Sequence, residues 1–239
     1  MKTIGILGGC SAVATGLYYR RLNELAEQKR PGHGAKILIH SFDRGEIDAM
    51  IGVGDWTGAT FAFVRAAQNL EKAGADAVLI ATNSMHRIAG KVSASVKIPL
   101  IHIIDEAARA LKSHGRRRAL VVGTRYVMDD SFYVNRLAEK GVEGFPPPEQ
   151  DRDLMHRIIY DELMYGRVTV ESQDFLGRLA DNAEGEGADS VILACTELGL
   201  LLNGRSYALP MFDTAELHVA AAHAFAFSAE GVPTAFGKS

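Results

Sequence analysis

The sequence predicts an α/β protein built as two similar lobes, each around its own parallel sheet. Three observations carry this. Short apolar runs without polar alternation recur along the chain, helical stretches separate them, and the second half repeats motifs of the first. Continuous apolar runs of four to six residues suit strands buried on both faces, which is the condition of a parallel sheet covered by helices.

In chain order, strands are expected at Thr3–Leu7, Lys36–His40, Ala77–Ala81, Leu100–Ile103, Ala119–Val122, Ser190–Ala194 and Ala208–Phe212. Between them Tyr18–Gln28, Trp56–Ala73, Glu106–Ser113, Asp130–Lys140, Asp151–Tyr165 and Ser172–Glu186 read as helices. Strand–helix alternation of this kind defines α/β lobes. Gly141–Gln150, with Pro146-Pro147-Pro148, reads as a stiff loop.

The repeat is the most informative feature. Gly74-Ala75-Asp76-Ala77-Val78-Leu79-Ile80-Ala81-Thr82-Asn83 is echoed 113 residues later by Gly187-Ala188-Asp189-Ser190-Val191-Ile192-Leu193-Ala194-Cys195-Thr196. Gly8, Tyr18, Arg21 and Leu22 are echoed by Gly123, Tyr133, Arg136 and Leu137 at an offset of 115. Gly-Ala-Asp before a buried strand is a common helix exit, but two echoes at nearly one offset point to duplicated Rossmann-like lobes. The lobes are expected at 1–98 plus 213–239 and at 99–212, related by a pseudo-two-fold axis, with the active site in the cleft between them. Ligands of open α/β sheets bind beyond the carboxyl ends of the strands. The repeat puts Thr82 and Cys195 at equivalent strand ends, where they are expected to flank one site from opposite sides. Inversion of a stereocentre needs that arrangement, one group removing a proton from one face and another supplying it to the other.

Composition narrows the function classes. A net charge of −3 gives no electrostatic footprint for nucleic acid or an anionic membrane. The basic run Arg116-Arg117-Arg118 reads as a solvated loop. No apolar run reaches the ~18 residues of a membrane span, and the N-terminus enters a strand at once without signal-peptide features. With only Cys10 and Cys195, a disulfide framework is not expected, and a reducing cytoplasm fits.

Three strand-end motifs hold the chemistry: Gly8-Gly9-Cys10-Ser11, Thr82-Asn83-Ser84-Met85-His86 and Cys195-Thr196-Glu197-Leu198. Hydroxyl and amide residues before a helix start can bind a carboxylate together with backbone N–H groups; Asn83 or Ser84 could equally be a plain N-cap. A thiol of reference pKa about 8.5, lowered by a following helix N-terminus, can abstract a weakly acidic proton. Cys195 has that setting in sequence, against the alternative of an inert buried cysteine. His86, His102, His218 and His223 form no zinc spacing, so no metal is expected. Gly5-Ile6-Leu7-Gly8-Gly9 is not a dinucleotide fingerprint, and no cofactor is expected.

Nearly the whole chain resembles the aspartate/glutamate racemase superfamily, and within it the aspartate racemase branch. The resemblance rests on Ile4–Gly9, Thr82–His86, Gly123-Thr124-Arg125-Tyr126, Ile158–Leu163, Cys195-Thr196-Glu197 and Phe212-Asp213-Thr214. It implies a cofactor-independent amino-acid racemase with Cys195 as acid/base on the L-face and Thr82 opposite. Asn83, Ser84, Thr196, Ser11 and Cys10 would line the substrate site. Similar members carry a cysteine in both motifs; Thr82 places this chain with a one-cysteine subset that is L-Asp/Glu-specific or broad in specificity. The family's lysine before Gly166 is missing here, where Met164 and Tyr165 stand, so Arg44 is the candidate for holding a side-chain carboxylate, with a plain surface arginine as the alternative. The resemblance also implies a cytoplasmic homodimer acting on a small amino acid. Two other readings stand beside it: a malonate-type decarboxylase with a single cysteine, and a non-catalytic amino-acid-binding homologue.

Overall fold

A computed structural model describes residues 1–228; the last part of the expected first lobe, 229–239, lies outside the described residues. The first half contains β1 (Ile4–Gly8), α1 (Ala12–Lys29), β2 (Ile37–Ser41), α2 (Arg44–Gly52), α3 (Trp56–Lys72), β3 (Ala77–Ile80), α4 (Ala89–Ala94), β4 (Leu100–Ile101) and α5 (Ile103–Ser113). The second contains β5 (Arg118–Gly123), α6 (Arg125–Met128), α7 (Ser131–Glu139), β6 (Glu143–Phe145), α8 (Glu149–Arg157), α9 (Val170–Gly185), β7 (Ser190–Ala194), β8 (Met211–Asp213) and α10 (Thr214–Phe227). The strands form two four-stranded parallel sheets, ordered β2-β1-β3-β4 and β6-β5-β7-β8. Adding four to each strand number of the first order gives the second, as the sequence repeat requires.

By its contacts the chain divides into two compact units. Of the described residues, the first holds 1–81, 88–102 and 218–228; the second holds Thr82–Arg87 and Ile103–Leu217. Thr82–Arg87 therefore leaves the first sheet with β3 yet belongs to the second unit, and most of α10 belongs to the first.

The second sheet shows why its strands read as unbroken apolar runs. Leu120, Val122, Val191 and Leu193 face one layer, packed with Met155, Ile159, Phe175, Leu176 and Leu179 of the α8–α9 region. The alternate residues Ala119, Val121, Ile192 and Ala194 face Ile104, Ala107, Leu111, Tyr133 and Leu137 of α5 and α7. Both faces are dry, so period-2 alternation of polarity never develops. Gly123 sits where a Cβ would lie 2.8 Å from the Ala194 carbonyl oxygen, so only glycine lets β5 and β7 end side by side.

Several local expectations are corrected. Gly141–Gln150 is not all loop: Glu143–Phe145 pairs with β5, because the backbone of a three-residue segment beside an open edge gains a ladder even when prolines come directly after it. The strand expected at Leu100–Ile103 stops at Ile101, and Ile103 opens α5. The strand expected at Ala208–Phe212 shrinks to Met211–Asp213. The helix expected over Asp151–Tyr165 runs in three pieces: α8, a π turn at Ile158–Glu162 and a 3-10 turn at Leu163–Tyr165 that ends at Gly166 with φ of 70°. The helices α2, α4, α6 and α10 are additions to the sequence expectation. The weakly amphipathic α2 is started by Asp43, whose side chain accepts from the Glu46 N–H. No helix among the described residues is long and apolar enough to cross a membrane.

In the first unit a buried polar pair joins α1, α10 and β4. Tyr18 Oη lies 2.8 Å from His218 Nδ1, and His218 Nε2 lies 2.8 Å from the Ile101 carbonyl oxygen. A carbonyl only accepts, so Nε2 carries the proton and Nδ1 accepts from Tyr18. Burial pushes the His218 pKa down to about 4. The folded state therefore prefers neutral His218. Its contribution is fully present above the unfolded pKa of about 6.5 and is lost as pH falls toward 4, on the order of 3 kcal/mol in all. The difference in unfolding free energy between the wild type and His218→Gln should be flat above pH 6.5 and shrink by that order between pH 6.5 and 4. A pH-independent difference would show that His218 does not titrate on unfolding. Tyr18→Phe should cost about 1–3 kcal/mol at pH 7.5 in denaturant melts, because it removes the hydroxyl that donates to the buried Nδ1.

Candidate active site

Cys195 comes directly after β7, a strand paired on both sides, by β5 over Ser190–Ala194 and by β8 over Val191–Leu193. Its thiol is buried and lies 3.1 Å from Glu197 Oε2, to which it donates. Thr196 Oγ1 donates to the same oxygen at 2.6 Å. Glu197 itself is only 4% exposed. Sequence reasoning expected a helix N-terminus to pull the thiol pKa down. The structure reverses that sign. Burial raises it most, then the negative charge of Glu197 and the hydrogen bond to it, and these outweigh the lowering by the Glu197 and Thr196 backbone N–H groups. The chain beyond Glu197 forms only a five-residue 3-10 turn, Leu198–Leu202, whose backbone dipoles are few. Cys195 thus rests as a thiol with its proton directed at a carboxylate.

The first motif stands in the same unit. The Asn83 side chain is buried and used on both ends: Tyr133 Oη donates to Oδ1 at 3.2 Å, and Nδ2 donates to Thr214 Oγ1 at 3.1 Å. Thr214 in turn donates to the Leu193 carbonyl at 2.7 Å. His86, also buried, places Nδ1 2.9 Å from the Thr82 carbonyl and receives the Ile103 N–H at Nε2, 3.2 Å away. Thr82 and Ser84 are half-buried, and their hydroxyls make no hydrogen bond among the described residues. The hydroxyl of Thr124, just past Gly123 on the strand neighbouring that of Cys195, is a buried group without a partner among the described residues.

The remaining predicted residues lie in the first unit. Ser11 is the N-cap of α1, its Oγ accepting from Ala14 N at 3.1 Å. Gly9 precedes it with φ of 93°, and its N–H donates to Thr15 Oγ1. Cys10 is half-buried, and its pKa is pushed up to about 12, first by burial and then by Asp48. Arg44 opens α2 and forms an ion pair with Asp48 one turn on, Nε to Oδ2 3.0 Å. Met164 packs against the apolar core of the second unit, and Tyr165 is exposed. Glu197, Thr124, Tyr133 and Thr214 were not singled out from sequence as site residues. Thr124 had a signal, since it directly follows the strand that pairs with the one leading to Cys195. Glu197 had one in its place after Cys195-Thr196.

The arrangement defines a class: a parallel α/β protein of two four-stranded sheets with a thiol–carboxylate pair at the carboxyl end of an interior strand. The Asp/Glu/hydantoin racemase family profile matches residues 7–222, and the chain belongs to that family. It is similar to a Yersinia pestis protein described as a candidate Asp/Glu racemase, 38% identical with a TM-score of 0.89, over 95% of this chain and 100% of that one. It is also similar to an aspartate racemase homologue from Pyrococcus horikoshii OT3, 31% identical with a TM-score of 0.84, over 95% of this chain and 100% of that one. These two likenesses put the chain beside the aspartate racemase branch, as its motifs implied. A broad specificity amino-acid racemase from Bacillus subtilis (strain 168) is 22% identical over 160 residues, 64% of this chain and 66% of that protein, just under two thirds of its length.

The resting thiol can be checked directly. At pH 8 Cys195 and Cys10 should both alkylate more slowly with iodoacetamide than a free thiol of pKa about 8.5. Glu197→Gln removes the opposing charge and should speed Cys195 by about threefold or more while leaving Cys10 unchanged. Peptide mass mapping separates the two sites. Wild-type Cys195 reacting as fast as a small-molecule thiol would contradict the assignment.

Proposed function

We propose that this chain is a cofactor-independent amino-acid racemase of the aspartate/glutamate type, with Cys195 as its acid/base on the L-face and Thr82 as the weak partner on the other. The observation that carries the reading is the Cys195–Glu197 pair, a thiol with a carboxylate positioned to take its proton. An amino-acid α-proton is very weakly acidic, so its removal needs a strong, dry base. A thiolate left by proton transfer to Glu197 meets that need, and it returns to the thiol once it has taken the α-proton. Asn83, Ser84 and Thr196, with the Thr124 hydroxyl and the backbone N–H groups around Thr196, would hold the substrate. Ser11, Cys10 and Arg44 are the further substrate-binding candidates by resemblance, Arg44 for a side-chain carboxylate. Aspartate or glutamate is the substrate favoured by the family, with a broader set as the rival. Its free cysteines suit a cytoplasmic protein, and a homodimer follows from the resemblance.

Thr82 brings a kinetic signature. A threonine hydroxyl is far less acidic than a thiol and a poor base. Cys195 should take the α-proton of an L-substrate and often return a solvent proton to the same face. In D₂O, L-aspartate or L-glutamate should therefore gain deuterium faster than D-product forms, and Cys195→Ala should abolish both. Thr82→Cys should raise the ratio of inversion to exchange and raise kcat/KM equally in both directions, because enantiomers have equal free energy. Equal rates of exchange and inversion in the wild type would remove Thr82 from the role of weak partner. Exchange retained in Cys195→Ala would mean that the wrong thiol has been named. Arg44→Ala should raise KM for acidic substrates more than for neutral ones.

One observation also favours the decarboxylase reading. Cys195 rests in the protonated form, and that is the form that quenches a carbanion left by loss of carbon dioxide. Release of carbon dioxide from an arylmalonate, with no exchange into any of the twenty L-amino acids, would decide for it.

A further inference from the structure

The Asn83 carboxamide belongs to a buried chain of hydrogen bonds whose directions are set by donor accounting. The Leu193 carbonyl only accepts, so Thr214 spends its proton there, 2.7 Å away. Thr214 Oγ1 can then only accept from Asn83, which fixes the amide nitrogen on that side at 3.1 Å. The amide oxygen faces Tyr133, which donates to it at 3.2 Å. Tyr133 and Thr214 are both 0% exposed and Asn83 only 3%. Leu193 lies on β7, two residues before Cys195. The chain of bonds therefore ties the first motif to the strand that carries the thiol.

Other bonds of the same segment point the same way. Arg87 forms an ion pair with Asp130, the N-cap of α7. His86 links the Thr82 carbonyl to the first N–H of α5. Thr82–Arg87 is grouped with the second unit although the strand before it lies in the first sheet.

We propose that Tyr133 and Thr214 are positioning residues that clamp the Asn83 carboxamide, and through it the Thr82–Arg87 segment, onto β7 beside Cys195. On this proposal the Asn83 side chain is a structural clip whose amide is already engaged at both ends. The clip uses one Nδ2 hydrogen and one Oδ1 lone pair, so it holds the second Nδ2 hydrogen in a fixed orientation toward a substrate carboxylate. The kinetic part rests on the racemase reading above. Inversion needs both faces in register, whereas exchange on the L-face needs Cys195 alone. Loosening the clip should therefore cost inversion more than exchange.

Tyr133→Phe removes one donor with little change in shape, Thr214→Val removes the central hydroxyl, and Thr214→Ser keeps it. Amide hydrogen exchange reads the clip without any activity. Residues 82–87 should exchange about tenfold or more faster in Tyr133→Phe and Thr214→Val, with the β5 and β7 amides unchanged, and Thr214→Ser should restore protection. In D₂O the ratio of inversion to exchange for the L-substrate should fall about tenfold in the first two variants and recover in the third. Unchanged protection over 82–87 in both Tyr133→Phe and Thr214→Val overturns the clip, whatever the activity. Lost protection together with inversion and exchange falling in proportion overturns its role in holding the two faces in register. A wild type that exchanges no amino acid, with protection lost as described, sinks the racemase reading and leaves the clip standing.

Discussion

The position of Cys195 depends on one constraint: β7 is paired on both edges and dry on both faces. Five residues of β7 pair with β5, and Val191–Leu193 pair with β8. No side chain along it is free to shift, because Val191 and Leu193 fill one layer while Ile192 and Ala194 fill the other. The first residue beyond this ladder is Cys195, where the backbone turns off the sheet and its N–H groups become available. Rigid placement of a side chain is what an interior strand supplies and a surface loop does not.

The state of that atom comes from a competition of local fields. Backbone N–H groups at the turn favour a thiolate. Burial and a carboxylate two residues on oppose them and prevail. A similar competition acts at Asp213, the residue before Thr214. Its carboxylate accepts from the Ala215 and Glu216 N–H groups, yet burial, foremost, lifts its pKa to about 6. Gly199 makes room for it, since a Cβ there would collide with Asp213 Oδ2. The carboxyl edge of the second sheet thus concentrates acidic groups in dry surroundings. Asp213, at about 6, changes protonation within the range where proton-transfer enzymes work.

The fold was legible where packing repeats itself. Runs such as Ser190–Ala194 are apolar after their first residue, which suits interior strands, and the duplicated Gly-Ala-Asp entrances located their equivalents. The elements that escaped are those held by one or two local bonds. The three-residue β6 hides beside a proline run, and α2 contains Gly45 and leans on the Asp43 cap. Within the site, the thiol was legible because the repeat marked its strand end. The sign of its pKa was not, because it turns on the direction taken by one carboxylate two residues away. Nor was the company of Asn83, whose partners lie 50 and 131 residues off in the chain. Periodicity and motif spacing carry no information about such pairs. The pairing of Arg44 with Asp48 is a one-turn helical contact, visible only once α2 is known to be a helix.

The grouping of Thr82–Arg87 with the second unit bears on how such a gene can recombine. The duplicated sequence invites the view that its halves are interchangeable modules that could be shuffled among relatives. Their contents are not separable in that way. A crossover between residues 87 and 133 would inherit Asn83 from one parent and both of its partners, Tyr133 and Thr214, from the other. Hybrids should therefore survive best when these three residues descend together, and drift at any one of them should be answered at the others. The symmetry of the two sheets is thus overlaid with a dependence that ties Asn83 to residues far along the second half of the chain.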